Sequence, residues 1–312
     1  MLPLRRSSRR EAVPELRFAW LEITGKCQLA CGHCYADSGP GGDHGSMRVD
    51  DWRRVIGELA AFGVTMVQFI GGEPMLHPDL LVLIEYALGK GLRVEVFSNL
   101  VHVPAAAWPV LERVGVSLAT SYYSDDPAEH AGITGRPVHA RTRSNVAEAV
   151  SRGIAVRAGV IDVLPDQRVG AAQRELALLG VPLTGTDRVR KVGRGVRGCR
   201  SDTSQLCGHC TSGVVAISPH GAVWPCVFSR WLPVGNVLEA SLADILGGPE
   251  TERILTGLEE DFAARKPAVA GEGTELCDPQ CGPACGPACH PSCWPTGAGP
   301  CTPNGGCQPN YD

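Results

Sequence analysis

The chain has 312 residues, a formal net charge of -4, and a composition that is 44% hydrophobic and 20% charged. That length can bury a core without disulfides, and the composition is that of a globular protein rather than a disordered or collagen-like one. The small negative charge argues against phosphate neutralisation on nucleic acid, and no apolar run approaches the ~20 residues that cross a bilayer. We therefore expect neither a nucleic-acid partner nor a membrane partner.

The 14 cysteines are the unusual feature of the composition. The amino terminus, MLPLRRSSRREAVPELR, is basic but lacks the apolar stretch of a secretory signal, which predicts a cytoplasmic protein. Cytoplasmic thiols are kept reduced. Cysteines in this number therefore indicate metal binding or redox chemistry rather than a disulfide framework.

Short apolar runs alternate with segments of helical spacing through the first 190 residues. The runs predict strands at 18–23, 66–70, 93–97, 114–120, 154–161 and 181–184. The segments between them predict helices at 49–61, 78–90, 140–152 and 170–179. Strands and helices that alternate in this way are typical of a parallel α/β sheet, open or curled into a partial barrel, with the site at the carboxyl ends of the strands.

The pattern changes after residue 190. A basic, glycine-rich joint (KVGRGVRG) is followed by strand-like runs at 214–218 and 222–225, and then by one predicted helix at 241–265 with Ser241 as its N-cap. Residues 267–312 have almost no regular pattern but contain seven cysteines. We therefore predict an extension at 1–15, a barrel at 16–190 and a cysteine-rich second domain at 191–312.

Three cysteines follow the first predicted strand, in GKCQLACGHCYADSG. Cys27, Cys31 and Cys34 have the spacing C-x3-C-x2-C. A four-iron cluster binds one thiolate per iron, so three thiolates from one loop leave one iron open to a substrate or cofactor. A zinc loop is the alternative, although zinc favours four ligands in C-x2-C pairs.

The chain resembles a radical SAM enzyme. That family has C-x3-C-x2-C after the first strand of a partial (β/α)6 TIM-like barrel and a GGEP motif after the second, which Gly71, Gly72, Glu73 and Pro74 match. The resemblance implies that the open iron binds the amine and carboxylate of S-adenosylmethionine. Glycine lets the backbone approach that ligand closely, and Glu73 would offer negative charge to its ammonium.

Weaker matches to the family follow the later strands, although Leu100 stands where many members have glycine. Residues of these types also cap or turn strand ends. The resemblance implies contacts to S-adenosylmethionine from Ser98 and Asn99 after the third strand, Ser121 after the fourth, Arg157 on the fifth, and Tyr35 in the cysteine loop.

The eleven other cysteines all lie after residue 190. Cys210, Gly221 and Cys226 resemble the opening C-x(9-15)-G-x4-C of SPASM or Twitch domains, which are small, largely irregular and hold one or two auxiliary four-iron clusters. Cys207, Cys210, Cys226 and one tail cysteine form the first predicted ligand set. The eleven thiols permit a second cluster without requiring one.

The tail departs from the SPASM pattern and reads CDPQCGPACGPACHPSCWPT. The proline in every repeat rules out a helix, so we predict an extended segment that wraps a cluster. The alternative is a zinc-binding or low-complexity metal-binding extension, and Cys199 has no assigned role. The predicted tail ligands are Cys277, Cys281, Cys285, Cys289 and Cys293.

The resemblance implies reductive cleavage of S-adenosylmethionine to a 5'-deoxyadenosyl radical that abstracts hydrogen from the substrate. Relatives with such extensions mostly modify peptides, so the leading hypothesis is a maturase that forms an intramolecular crosslink in a ribosomally synthesised precursor peptide. The alternatives are a radical SAM dehydrogenase or epimerase of a small molecule, such as a sugar or nucleoside, and a non-catalytic metal-binding or electron-carrying protein. No acid–base residue is assigned.

Two further partners follow from the resemblance. A flavodoxin or ferredoxin type of donor would reduce the cluster. About 15 residues precede the first predicted strand, which leaves no room there for a peptide-binding domain. Leader recognition is therefore expected from a separate protein, or from the barrel and second domain.

Overall fold

The computed structural model describes residues 16–196 and 201–265. The strands are β1 Phe18–Thr24, β2 Met66–Gly71, β3 Arg93–Phe97, β4 Val116–Tyr122, β5 Ala155–Asp162, β6 Leu183–Arg188, β7 Val214–Ile217, β8 Ala222–Trp224 and β9 Gly235–Asn236. The helices are α1 Val49–Ala61, α2 Leu80–Gly89, α3 Trp108–Leu111, α4 Pro127–Thr134, α5 His139–Ser151, α6 Val169–Leu178, α7 Leu242–Leu246 and α8 Pro249–Ala264.

The nine strands form one unclosed sheet in the order β6-β5-β4-β3-β2-β1-β7-β8-β9. Strands β1 to β6 pair in parallel with their sequence neighbours. Every residue of β1 (FAWLEIT) is buried, as expected for a strand covered on both faces. This is the predicted partial barrel, in which the carboxyl ends of six parallel strands meet at one edge.

The helices cover the sheet with apolar stripes. Helix α1 buries Trp52, Val55, Ile56 and Leu59, whose spacing of three and four residues forms one face. The side chains of these four residues belong to the same apolar core as β1 and β2. The predicted helix at 49–61 and the predicted strand at 93–97 agree with the structure residue for residue.

Helices α3 and α4 were not predicted, and the fourth strand lies at Val116–Tyr122 rather than at 114–120. Two further predictions differ from the structure. The helix predicted over 241–265 is two helices, α7 and α8, because Gly247, Gly248 and Pro249 interrupt it. Ser241 does cap α7, as Asp244 N donates to its Oγ at 3.2 Å. The sixth strand begins later than predicted, at Leu183, and runs to Arg188.

The chain after residue 190 continues the same sheet. Strand β7 pairs in parallel with β1, and β8 and β9 extend it in antiparallel fashion. The boundary at 190/191 stays a prediction. None of the helices in the described ranges is long and apolar enough to cross a membrane.

Candidate cluster and cofactor site

The three cysteines of the first motif lie in the loop that leaves the carboxyl end of β1. Cys27 N donates to Gly39 O at 3.0 Å, and Cys34 N donates to Cys31 O at 3.3 Å. These bonds fold the loop back on itself. As a result, Cys27, Cys31 and Cys34 line one cavity, which holds about 890 Å³ of empty space including its open mouth.

The thiols of this loop are suited to a metal cluster. Burial raises the pKa of both Cys27 and Cys31 to about 12, so without metal they carry protons that binding would displace. Leu29 N and Asn99 Nδ2 lie 3.4 and 3.6 Å from Cys27 Sγ, and donors to sulfur favour the thiolate.

In residues 16–196 and 201–265, no three His, Cys, Asp or Glu side chains converge on a position for one metal ion. In a four-iron cluster each thiolate binds its own iron, so the ligands surround a common volume rather than a single point. The donor set and its shared cavity therefore fit a cluster.

The Gly71-Gly72 turn forms the wall beside the cysteine loop. Gly71 has φ +128, and a Cβ on it would lie 2.3 Å from Thr24 O. A Cβ on Gly72 would lie 2.2 Å from Lys26 O. Gly72 N also donates a hydrogen bond to Thr24 O at 2.7 Å, so the turn is held against this loop. Glycine is therefore required at both positions, and both residues line the cavity.

Glu73 lies behind this wall rather than on it. Its Oε1 accepts hydrogen bonds from Met75 N at 3.0 Å and Ser98 Oγ at 2.8 Å, and its Oε2 accepts one from Asn99 N at 2.8 Å. The side chain is fully buried, and burial raises its pKa to about 7. Glu73, Pro74 and Ser98 are not among the cavity-lining residues; the carboxylate ties the end of β2 to the end of β3.

Asn99 is the polar side chain that links this turn to the cysteine loop. Its Oδ1 accepts from Gln28 Nε2 and from Val101 N, both at 3.0 Å, and its Nδ2 points to Cys27 Sγ. The next residue, Leu100, is buried with φ +53, a left-handed conformation that glycine adopts more easily. This left-handed backbone conformation is the structural reason for a glycine at that position.

The cavity is also lined by the predicted Ser121 and Tyr35. Tyr35 packs edge-to-face on Phe228, with ring centroids 5.2 Å apart. The phenolic oxygen of Tyr35 is buried with no hydrogen-bond partner among the described residues. Tyr123 lines the same cavity, and its hydroxyl lies 3.2 Å from His33 Nε2.

Arg157 lies inside the barrel and does not line the cavity. Its Nε and Nη2 pair with the two carboxylate oxygens of Glu95 at 2.8 and 2.6 Å, and both residues are buried. Gln68 donates to the same carboxylate. The guanidinium predicted for the cofactor carboxylate is thus engaged by Glu95.

The end of β6 contributes residues that sequence reasoning missed. Asp187 and Arg190 line the cavity and form a buried pair, with Arg190 Nη2 3.0 and 3.1 Å from the Asp187 carboxylate oxygens. Burial raises the pKa of Asp187 to about 6 despite that partner. Arg188 is an exposed cation on the same wall. Asp187 and Arg188 belong to β6 itself, and they were missed because the predicted strand ended at residue 184.

A second group of thiols lies next to β8. Cys210 and Cys226 are buried with their sulfurs 3.1 Å apart, and contacts with Cys207 and Cys226, together with burial, raise the pKa of Cys210. All three are free thiols. Gly221 of the same motif has φ +82. The tail ligands Cys277, Cys281, Cys285, Cys289 and Cys293 lie outside the described residues, as does Cys199.

Family models match both parts of the chain. The model described as "Radical SAM superfamily" matches residues 21–171, and the model described as "Iron-sulfur cluster-binding domain" (SPASM) matches residues 207–282. The first range contains the C-x3-C-x2-C and GGEP motifs, and the second contains Cys207, Cys210 and Cys226. The cofactors of the chain are therefore S-adenosylmethionine and iron-sulfur clusters.

Named relatives match shorter stretches. The chain is 34% identical over 139 residues to the PqqA peptide cyclase of Ruegeria pomeroyi, which is 43% of this chain and 36% of the relative. It is 34% identical over 80 residues to an S-adenosylmethionine-dependent nucleotide dehydratase of Selenomonas ruminantium, which is 25% of this chain and 28% of the relative. The chain thus spans about a third of the length of these relatives.

A solved structure shares the fold. SuiB of Streptococcus suis, crystallised with its precursor peptide SuiA, superposes with a TM-score of 0.65 over 78% of this chain and 67% of SuiB, at 14% sequence identity. At that identity the likeness concerns the fold alone. It supports the unclosed barrel and its continuation beyond residue 190.

Proposed function

The chain belongs to the radical SAM superfamily and carries a SPASM iron-sulfur domain, and on this premise we propose that it matures a ribosomally synthesised peptide by forming an intramolecular crosslink. The observation that carries the proposal is one cavity lined by the three thiols, the Gly71-Gly72 turn and Phe228 from the SPASM region. The similarity to a peptide cyclase supports a peptide substrate.

Cys27, Cys31 and Cys34 would hold the catalytic four-iron cluster. When bound, the cluster and S-adenosylmethionine supply a one-electron reductive cleavage whose product takes hydrogen from an unactivated carbon. The chain's own part is placement and exclusion of water. Asn99 orients Cys27 through its Nδ2, and Tyr35 packs against Phe228 to close one side of the cavity.

The cavity wall is the proposed cofactor surface. Gly71 and Gly72 let the backbone approach the methionyl group, and Ser121 offers a hydroxyl for the ribose. Tyr35 presents an aromatic ring for the adenine. Glu73 and Ser98 join the ends of β2 and β3 from behind this wall. Arg157 pairs with Glu95 on β3.

The second thiol group is the proposed start of an auxiliary cluster site. Cys207, Cys210 and Cys226 would supply three ligands, and a tail cysteine the fourth. Auxiliary clusters of this class accept the electron left after substrate oxidation, or bind the substrate. Forming a crosslink removes two hydrogens, so such an acceptor suits the proposed reaction.

A flavodoxin or ferredoxin type of donor is the proposed source of electrons, and a separate leader-binding protein remains a proposed partner. The cytoplasmic location stays a prediction from the sequence.

The substrate is tested with a short peptide encoded beside this gene, with reductant and S-adenosylmethionine under anaerobic conditions. We expect release of 5'-deoxyadenosine and a peptide lighter by two hydrogens, with fragmentation blocked between the linked residues. Cofactor cleavage without any change in peptide mass would contradict peptide crosslinking.

A small-molecule substrate is the second candidate, favoured by the similarity to a nucleotide dehydratase. Nucleoside triphosphates in the same assay test it directly. Their turnover, together with an unaltered peptide, would replace the first proposal by the second. A chain that binds S-adenosylmethionine but never releases 5'-deoxyadenosine would support the non-catalytic hypothesis.

A further inference from the structure

The joint after the barrel lies against the cysteine loop. Gly193 and Arg194 form a 3-10 turn in which Arg194 N donates to Cys34 O at 2.9 Å. Gly193 has φ +57, and a Cβ on it would lie 2.5 Å from Cys34 O and 2.3 Å from Tyr35 O. The approach is so close that only glycine fits before the arginine.

The Arg194 guanidinium is directed entirely at the same loop. Its Nε donates to Cys31 O at 2.9 Å, its Nη2 to Ser38 O at 2.5 Å, and its Nη1 pairs with Asp37 Oδ1 at 2.9 Å. The planar guanidinium of Arg194 thus bonds three oxygen acceptors within residues 31–38. A lysine ammonium does not reproduce this geometry. The side chain is 31% exposed, so its charge is only partly screened.

We propose that Arg194 is a positioning residue for the cluster held by Cys27, Cys31 and Cys34. Its hydrogen bonds hold the main chain of the loop, and its positive charge raises the reduction potential of the cluster. Charge and hydrogen bonding around the ligands are general determinants of iron-sulfur potentials, and a cation favours the reduced cluster, which carries one more negative charge. The inference rests on the cluster position proposed above.

A purely structural tie between the barrel and the following segment is the competing explanation. Such a tie would loosen in the same way whichever partner of the Arg194–Asp37 pair is altered. An electrostatic role predicts shifts of opposite sign for the two partners, because one carries the positive charge and the other the negative.

The test uses the full chain, reconstituted anaerobically, with Arg194→Gln, Arg194→Lys and Asp37→Asn. Arg152→Gln is the matched control: Arg152 is 36% exposed and pairs with Glu112 and Glu148, but lies just before β5, at the other edge of the sheet. EPR-monitored redox titration follows the cluster whose signal changes when S-adenosylmethionine is added. Iron content and release to a chelator are measured on the same samples.

We expect a lower midpoint potential for Arg194→Gln, a smaller upward shift for the more exposed Asp37→Asn, and no shift for Arg152→Gln. Arg194→Lys keeps the charge, so it should stay near the wild-type potential while releasing iron faster. An unchanged potential in Arg194→Gln, or shifts of the same sign in Arg194→Gln and Asp37→Asn, would overturn the proposal.

If Arg194→Gln does not fold, Asp37→Asn and Arg194→Lys decide the matter by the same expectations. No readout uses peptide, so failure of the crosslinking assay leaves this test intact. Failure of the proposed cluster position is seen separately, as unchanged iron in a Cys27/Cys31/Cys34→Ala variant.

Discussion

Ser98 Oγ donates a 2.8 Å hydrogen bond to Glu73 Oε1, joining the end of β3 to the turn after β2. The other carboxylate oxygen accepts from Asn99 N, whose side chain reaches Cys27. One buried carboxylate therefore sets the relative position of the glycine turn and the cysteine loop. The consequences are measurable in stability, in iron retention and in pH dependence.

Glu73 should make stability fall as pH rises. Its folded pKa of about 7 lies above the ordinary 4.5, so the folded chain binds this proton more tightly than the unfolded chain. The contribution of this proton to the free energy of unfolding is fully present below pH 4.5 and is lost as pH rises through 7. Between those two values the free energy of unfolding falls by ~1.4 kcal/mol per pH unit. Glu73→Gln should flatten the melting temperature over this range relative to wild type. Parallel pH profiles would contradict this.

Gly72→Ala should disturb the wall of the cavity. The added methyl would meet Lys26 O at 2.2 Å, and a backbone oxygen cannot move aside cheaply. We expect a loss of ~1–3 kcal/mol in unfolding free energy and weaker binding of S-adenosylmethionine. Gly89→Ala is the control, since a Cβ there meets nothing within 4 Å. Equal behaviour of the two variants in denaturation and equilibrium dialysis would refute the steric explanation.

At position 100, a glycine substitution should destabilise the protein less than an alanine substitution, which is the reverse of the usual order. Both Leu100→Ala and Leu100→Gly lose the buried side chain, but only glycine relieves the left-handed backbone at φ +53. We expect Leu100→Gly to be more stable than Leu100→Ala by ~1 kcal/mol, and both to be less stable than wild type. Urea denaturation measures the difference, and a more stable Leu100→Ala would contradict the assigned strain.

Asn99→Ala should speed the loss of iron. The variant removes the amide at 3.6 Å from Cys27 Sγ, and outer contacts of this kind typically change metal affinity ~10–100-fold. Asn145→Ala is the control, because its Nδ2 donates to Leu100 O at 2.8 Å rather than to a sulfur. Iron release to a chelator is the measurement. Equal rates in the two variants would mean that the Asn99 contact is not specific.

Much of the fold was predictable because parallel strands buried on both faces have a strong sequence pattern. The β1 run FAWLEIT is one example. The interruption between α7 and α8 was missed, although the Gly247-Gly248-Pro249 signal was present, because the apolar spacing continues across it. The extension of β6 to Arg188 was missed because its last four residues are glycine or polar.

The site was predictable where spacing along the chain carries the chemistry, as in the cysteine loop and the two glycines. The ion pair of Arg157 with Glu95 was not predictable, because sequence does not reveal which side chains on neighbouring strands meet. Arg194 was visible only as part of a basic joint. Its contacts cross more than 150 residues of chain, and no local pattern reports such a distance.

The central claim is that Cys27, Cys31 and Cys34 hold one iron-sulfur cluster while Cys207, Cys210 and Cys226 contribute to another. Anaerobic reconstitution and iron counting on wild type, on Cys27/Cys31/Cys34→Ala and on Cys207/Cys210/Cys226→Ala tests it most directly. We expect each triple variant to lose about four irons and retain the rest, with the signal change on adding S-adenosylmethionine lost only in the first. Loss of all iron from a folded Cys27/Cys31/Cys34→Ala variant, or no loss at all, would contradict the account.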